Sequence, residues 1–280
     1  MHGGVGEDLT DLYEALQLLA DMDVHKAGSI AQAITSATEL ASAWGGVSTP
    51  VDHLWYRGCS DNSFPLLPKA YRVEGYCETV PLLDFNQNAC AYVDTKLLDA
   101  WDMYFLAQHH GIPTRLLDWT ESFIAALYFS MRDRKADATP CVWILDPSKL
   151  NKYFINYDGL IIPSNTPRDS IWLPDAAQEV RRSKDTERFE YCNKTPLAIW
   201  PRRSNKRIVA QHGVFTVHGV DRAPLEAGLK SEQCVLARID LHLEPENNIE
   251  HLLRALGLKH SVLFPDLDSY VKDLQDYYKW

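Results

Sequence analysis

The chain predicts an α+β fold: a central twisted β-sheet flanked by helices, preceded by a helical N-terminal extension. Three observations point there. Two segments with apolar residues at helical spacing open the chain. Short strand-forming runs, "HLWYRG" and "CVWIL", then lie among helical segments. The last third is strand-rich before it turns helical again. With no internal repeat and no low-complexity linker, residues 1–49 read as the extension and residues 50–280 as one mixed α+β domain.

Composition bounds the function. The 280 residues are 46% hydrophobic and 24% charged, an ordinary globular balance with enough chain for a sizeable core. A net charge of −10 argues against wrapping duplex nucleic acid by overall charge, although a local basic patch remains available. "MHGGVGEDLT" lacks a basic segment followed by an apolar core, so no signal peptide is expected. No apolar run approaches the roughly 20 residues that span a bilayer. The six cysteines are scattered without a C-x-x-C pair, as reduced thiols in a cytoplasm would be.

The elements follow in order. "DLTDLYEALQLLADM" carries Leu12, Leu16 and Leu19 at helical spacing, and "SIAQAITSATELASAW" is a second helix ended by "GGVSTP". "HLWYRG" reads as a strand, and Pro65 and Pro68 make "FPLLPKAYR" extended or irregular. Apolar residues from Tyr92 to Gln108 (Val93, Leu97, Trp101, Tyr104, Phe105) predict an amphipathic helix stopped at Gly111 and Pro113. The next helix is expected to start near Thr120 and to bury Phe123, Ile124, Leu127, Tyr128 and Met131. "CVWIL" is a buried strand. The long Pro-, Asn- and Asp-containing span up to about residue 196 is expected to hold functional loops or short elements. "PLAIW", "RIVA", "GVFTVHG" and "CVLARIDL" are strand candidates, and "NIEHLLRALGL" and "DLDSYVKDLQDYYK" are helices.

Several kinds of site are absent by motif: there is no Walker phosphate loop, no G-x-G-x-x-G, no H-E-x-x-H and no G-x-S-x-G. Adjacent His109 and His110 would point about 100° apart on a helix, so no metal is assigned. Three polar stretches remain. In "WYRG", the fork of Arg57 suits a diphosphate or carboxylate, with Gly58 allowing close approach; the alternative is an arginine that caps a strand edge or pairs with a buried acid. In "QHHGIPTRLLDWT", Gly111 and Pro113 shape a loop offering Thr114, Arg115 and Asp118, with Trp119 as a stacking face; the alternative is an Arg115–Asp118 pair ordering the loop over a core Trp119. In "RIVAQHGVFTVHG", Gln211, His212 and Gly213 interrupt a strand pattern just after a basic run of Arg202, Arg203, Lys206 and Arg207.

Together these stretches resemble the FRG family of bacterial and phage proteins, named for a Phe-Arg-Gly motif that stands here as Tyr56-Arg57-Gly58. "QHHGIPTRLLDWT", "RIVAQHGVFTV" and the closing "LFPDLDSY" resemble its further motifs, so the likeness runs from about residue 50 to 275. It implies a toxin-like or phage-defence setting and a layout similar to ADP-ribosyltransferases that use NAD. Fold alone does not fix function. Cleaving the nicotinamide–ribose bond needs a cation for the diphosphate, a flat surface for nicotinamide and a polar group fixing the ribose. The resemblance implies Arg57 for the first, Tyr56 or Trp119 for the second and Gln211 for the third. Most such transferases carry a Glu where Gln211 stands, so Asp118, or a histidine (His110 or His212), would have to supply the carboxylate or base.

The expectation is therefore an effector with catalytic Arg57, Asp118 and Gln211. Its ligand-binding residues are Tyr56, Gly58, His109, His110, Thr114, Arg115, Trp119 and His212, NAD is its substrate, and a protein or nucleic acid is its acceptor. Two rivals stand beside it: a non-catalytic module sensing a nucleotide, nucleic acid or phage protein, and a nuclease built from His109 or His110, Asp118 and His212.

Overall fold

The computed structural model describes residues 23–44, 54–132, 134–164, 170–174, 194–229, 234–243 and 249–280. The helix expected around Leu12–Leu19, the boundary at residue 49 and Cys192 lie outside them. In chain order the elements begin β1 (Asp23–Ala27), α1 (Ile30–Trp44), β2 (Trp55–Cys59), α2 (Lys69–Arg72), α3 (Thr79–Asn88) and α4 (Ala100–His109). Next come β3 (Leu116–Thr120), α5 (Phe123–Met131), β4 (Cys141–Leu145), α6 (Pro147–Ile155), β5 (Leu197–Ile199), α7 (Lys206–Ala210) and β6 (Gly213–Val217). The last are β7 (Leu236–Leu241), α8 (Ile249–Ala255), α9 (His260–Leu263) and α10 (Leu267–Tyr278). The architecture is α+β, with strands of mixed direction.

The chain divides into two compact units, neither contiguous in sequence. The first takes in the chain up to Pro65, Glu121–Asp146 and Pro224–Leu258. Its strands run β1-β7-β4-β2, with β1 parallel to β7 and the other neighbours antiparallel. Because side chains alternate along a strand, this sheet has two faces of different chemistry. Tyr56, Val142, Ile144, Ala237 and Ile239 join the core formed with helices α1 and α5. Helix α1 meets it with Ile30, Ala33, Ala37 and Leu40, the i, i+3, i+7 stripe of an amphipathic helix. Full burial of each such Ile or Leu stabilises by roughly 1.5–3 kcal/mol. The other face carries Arg57, Cys59, Cys141, Trp143, Arg238 and Asp240.

The second unit comprises Leu66–Thr120, Pro147–Ala223 and Lys259–Trp280. Its strands run antiparallel in the order β3-β6-β5. Helix α4 lays an aromatic stack on them: the Trp101 and Phe105 rings are 5.8 Å apart, and Phe105 stacks on Phe215 of β6 at 5.1 Å. Asn151 of α6 is wholly buried and replaces a strand partner for β5, accepting from the Ala198 N–H and donating to the Ala198 carbonyl. Asp273 of α10 accepts from the His260 and Ser261 N–H groups and so caps α9.

Several elements differ from the sequence expectation, each for a local reason. The helix expected from Tyr92 starts at Ala100, because Asp99 and Asp102 form a reciprocal capping box; Leu97, counted on its apolar face, is 91% exposed. "RLLDWT" is a strand, and the following helix starts at Phe123 behind an Ser122 cap rather than at Thr120. "RIVA" is the helix α7, because Asn205 caps it through the Ile208 N–H. "KAYR" forms the short α2, and α3, α6 and β1 were not anticipated.

Candidate functional site

In the first unit, β2 divides the Tyr-Arg-Gly motif between its two faces. Tyr56 packs edge-on against Phe123 at 5.3 Å, towards α5. Gly58 lies under the same helix: a Cβ there would stand 1.9 Å from the Ala126 carbonyl oxygen and 2.5 Å from the Ser130 nitrogen. This close passage of the protein's own helix accounts for the glycine. Arg57 points to the opposite face and is half-buried. Its cross-strand partner is Trp143 of β4, whose own partner is Arg238 of β7.

Arg238 is buried and held on several sides. It forms an ion pair with Asp240 at 2.8 Å, donates to the Asn62 carbonyl at 3.1 Å, and places its guanidinium 5.2 Å from the centre of the Trp143 ring. Asn62 in turn donates to Asp240 at 3.0 Å. Sequence reading passed over Arg238 and Asp240 because in "CVLARIDL" they alternate with the apolar set and so look solvent-facing. The missing signal was that both faces of β7 are covered, so that all six of its residues are buried.

In the second unit, the "QHHGIPTRLLDWT" stretch connects α4 to β3. Gly111, at φ +90°, makes the left-handed turn that ends α4, and Lys69 donates to its carbonyl. Thr114 is fully buried; its hydroxyl donates to the Gln108 side-chain oxygen and accepts from the Leu116 N–H. Gln108 turns its amide nitrogen to both carboxylate oxygens of Asp118, at 3.2 and 3.1 Å. Asp118 is exposed.

Arg115 is buried and pairs with Glu78, not with Asp118. Its guanidinium also donates to the Trp172 carbonyl at 2.7 Å and the His218 carbonyl at 3.3 Å. Its backbone N–H meets Glu78 and the Tyr104 hydroxyl, which itself donates to Glu78 at 2.8 Å. Burial disfavours the Arg115 cation, but the Glu78 carboxylate outweighs it and holds the group above its ordinary range. Burial pushes the Tyr104 hydroxyl well up, helped by Glu78. Trp119 is 3% exposed and gives its indole N–H to Thr216 at 3.1 Å, so its faces lie inside the unit. Glu78, the partner on which this network turns, carried no sequence signal because it lies 37 residues before Arg115.

The exposed chemistry of this unit gathers at the end of α4 and around α7. Thr120, on the same side of β3 as Asp118, donates to the Gln211 carbonyl at 2.7 Å. The Gln211 side chain donates to the Leu263 carbonyl at 3.0 Å. Arg207, one turn before Gln211, lies 4.7 Å from the centre of the Phe264 ring, which also stacks on His260. His109 stacks on His110 at 4.9 Å, and its Nδ1 is buried with no hydrogen-bond partner among the described residues. Burial first, then the Arg207 cation and His110, lower its pKa from the usual 6.5; the Asp266 carboxylate opposes them. His212 is exposed at φ +48°, in the turn between α7 and β6. Three stretches separated in sequence, "QHH", "RIVAQH" and "LFPD", thus meet within one unit.

Among the described residues no group of three His, Cys, Asp or Glu side chains is placed to hold a metal ion. No helix among them is long and apolar enough to cross a membrane.

The architecture is mixed α+β, with Arg115 buried in its network and Asp118 and His212 exposed in the second unit. Comparison with known families makes the assignment particular: the FRG domain model matches residues 52–139, so this stretch is assigned to the FRG family. The matched stretch contains the Tyr-Arg-Gly strand and "QHHGIPTRLLDWT" and stops before Gln211. No curated protein and no solved structure matches the chain.

Proposed function

We propose that the protein binds NAD or a related nucleotide and transfers or hydrolyses its ADP-ribosyl group, as an intracellular effector of the toxin-like or phage-defence kind that the FRG resemblance implies. Within the second unit Asp118 supplies the carboxylate and Gln211 an amide that orients the ribose; Arg57 is the cation that the FRG resemblance implies for the diphosphate. The observation that carries the reading is Asp118: an exposed carboxylate, oriented by Gln108, on the side of β3 where Thr120 anchors Gln211. That carboxylate supplies what a glutamine lacks. As the bond from ribose C1′ to nicotinamide breaks, the electron pair leaves with nicotinamide and positive charge spreads over C1′ and the ring oxygen. The Asp118 carboxylate stabilises that charge. Water, or a nucleophile on a protein or nucleic-acid acceptor, then adds at C1′ and gives its proton to a base such as His110 or His212.

Nicotinamide release from NAD tests this directly, with wild-type protein beside Arg57→Ala and Asp118→Asn, with and without cell lysate as acceptor. Loss of one charge-stabilising group is expected to cost about 10²-fold or more in rate. Wild-type rates from either variant, correctly folded, would remove that residue from the site.

One observation favours a second reading, recognition without turnover: the Gln211 side-chain nitrogen is already bound to the Leu263 carbonyl. A sensor of this kind would be stabilised thermally by NAD, increasingly with free ligand, while releasing no nicotinamide.

A further inference from the structure

The face of the first unit's sheet that carries Arg57 and Arg238 also holds a buried donor with no acceptor among the described residues. Trp143 is 1% exposed, and its indole Nε1 is buried with no hydrogen-bond partner among the described residues. Such an N–H normally finds an acceptor when buried, because burial strips it of water and an unmade bond leaves that loss uncompensated. Trp101 has an equally unpaired Nε1, but it lies in the aromatic core of the second unit. Trp143 instead stands in a cross-strand row between two arginines, Arg57 on β2 and Arg238 on β7. Directly opposed cross-strand side chains start about 4.5–5.5 Å apart, so the three side chains leave the sheet from one patch. The row is graded in depth: Arg57 is half-buried and Arg238 only 6% exposed.

We propose that this row is an oxyanion subsite that takes the diphosphate of a nucleotide, an identity of ligand that rests on the reading above. Trp143 donates its indole N–H to a phosphoryl oxygen. Arg57 meets the ligand from the accessible end. Arg238 positions rather than binds: anchored by Asp240 and the Asn62 carbonyl, it packs its guanidinium against the Trp143 ring and fixes it from the far side. The ligand chemistry follows from the donors, the Arg57 guanidinium and the Trp143 indole N–H, which suit an anion with several acceptor oxygens.

Calorimetric titration of the full chain with inorganic pyrophosphate, and separately with ADP-ribose, tests the subsite. Trp143→Phe keeps an aromatic ring at the position and removes the indole N–H together with the five-membered ring that carries it. Both ligands are expected to bind the wild-type protein and to bind Trp143→Phe about tenfold more weakly. Equal affinity in a folded Trp143→Phe protein, or no pyrophosphate binding by the wild type, overturns the proposal. Should that variant fail to fold, the Trp143 indole ¹H–¹⁵N resonance of the wild-type protein decides: it shifts on adding pyrophosphate if the subsite is real, and a resonance that stays in place overturns it. The two readings fail separately. Trp143-dependent pyrophosphate binding without nicotinamide release would sink NAD turnover and leave the subsite standing. Arg57-dependent nicotinamide release with unaltered ADP-ribose affinity in Trp143→Phe would do the reverse.

Discussion

Arg57 in the first unit and Arg115 in the second occupy motifs that look alike on paper, each an arginine at or beside a strand among small and aromatic residues. The structure treats them differently. Arg115 is buried, paired with Glu78, and spends its remaining donors on the carbonyls of Trp172 and His218, tying a loop, a strand end and a short helical turn together. Arg57 lies half-buried in a row with Trp143, whose indole N–H has no acceptor among the described residues. Burial and its bonds to Glu78, Trp172 and His218 mark Arg115 as scaffold, whereas the proposal gives Arg57 to a ligand.

The largest expected effect breaks the scaffold side of that comparison. Glu78→Gln or Arg115→Ala leaves one buried charge without its counter-ion, and such a loss destabilises by about 3–5 kcal/mol. Arg57→Ala should cost about 1 kcal/mol or less, as expected of a position with some access to water. Urea denaturation midpoints of the three variants check this. Equal losses for Arg57→Ala and Arg115→Ala would show that both arginines are scaffold.

The glycines sharpen the same distinction. Gly58 is required by space, since a Cβ would run into the backbone of α5, so Gly58→Ala is expected to destabilise by about 1–3 kcal/mol or more through displacement of that helix. Gly111 has open space around it and is required only by its φ of +90°. Gly111→Ala should therefore cost about 1 kcal/mol, and Gly111→Asn, which tolerates the left-handed region, less. Thermal midpoints for the three variants should fall in that order. A smaller effect is expected at Trp119: Trp119→Phe loses the bond to Thr216 and some packing, about 1 kcal/mol, without loss of ligand binding.

How much of this was legible depended on the distance over which each signal acts. Local signals were readable: the stripe of α1, the strand at Trp55–Cys59 and the stop at Gly111 all follow from residues within one turn or one strand. The motifs themselves stood out, and the match over residues 52–139 takes in two of them, the Tyr-Arg-Gly strand and "QHHGIPTRLLDWT". What could not be read was pairing across sequence. Nothing near Arg115 announces Glu78, and nothing in "CVLARIDL" says that its charged side chains face the interior. Caps also overrode periodicity: Asp99 moved the start of α4 by two turns, and Asn205 turned a four-residue apolar run from strand to helix. The convergence of "QHH", "RIVAQH" and "LFPD" is likewise a product of tertiary packing.

The smallest effect concerns the exposed cluster of the second unit. His109 has its pKa lowered by burial and by the neighbouring Arg207 cation and His110, against the opposing pull of Asp266, so the native state resists a proton that the unfolded chain accepts near pH 6.5. Above that pH both states carry neutral His109 and its contribution is fully present. As pH falls through 6.5 the unfolded state gains the proton first, and stability declines until the native ring titrates as well. His109→Gln removes the group that responds. Urea midpoints at pH 7.5 and 5.5 should therefore drop more for the wild type than for His109→Gln. The difference between the two proteins cancels the other histidines, and the window lies above the range in which carboxylates such as Asp273 titrate. Asp273 is pushed up by burial, but the N–H groups of Ser261 and His260 hold it below its usual 3.8, so its contribution is lost only at lower pH. An identical drop in both proteins would mean that His109 reaches water freely, and the depth assigned to this end of α4 would have to be revised.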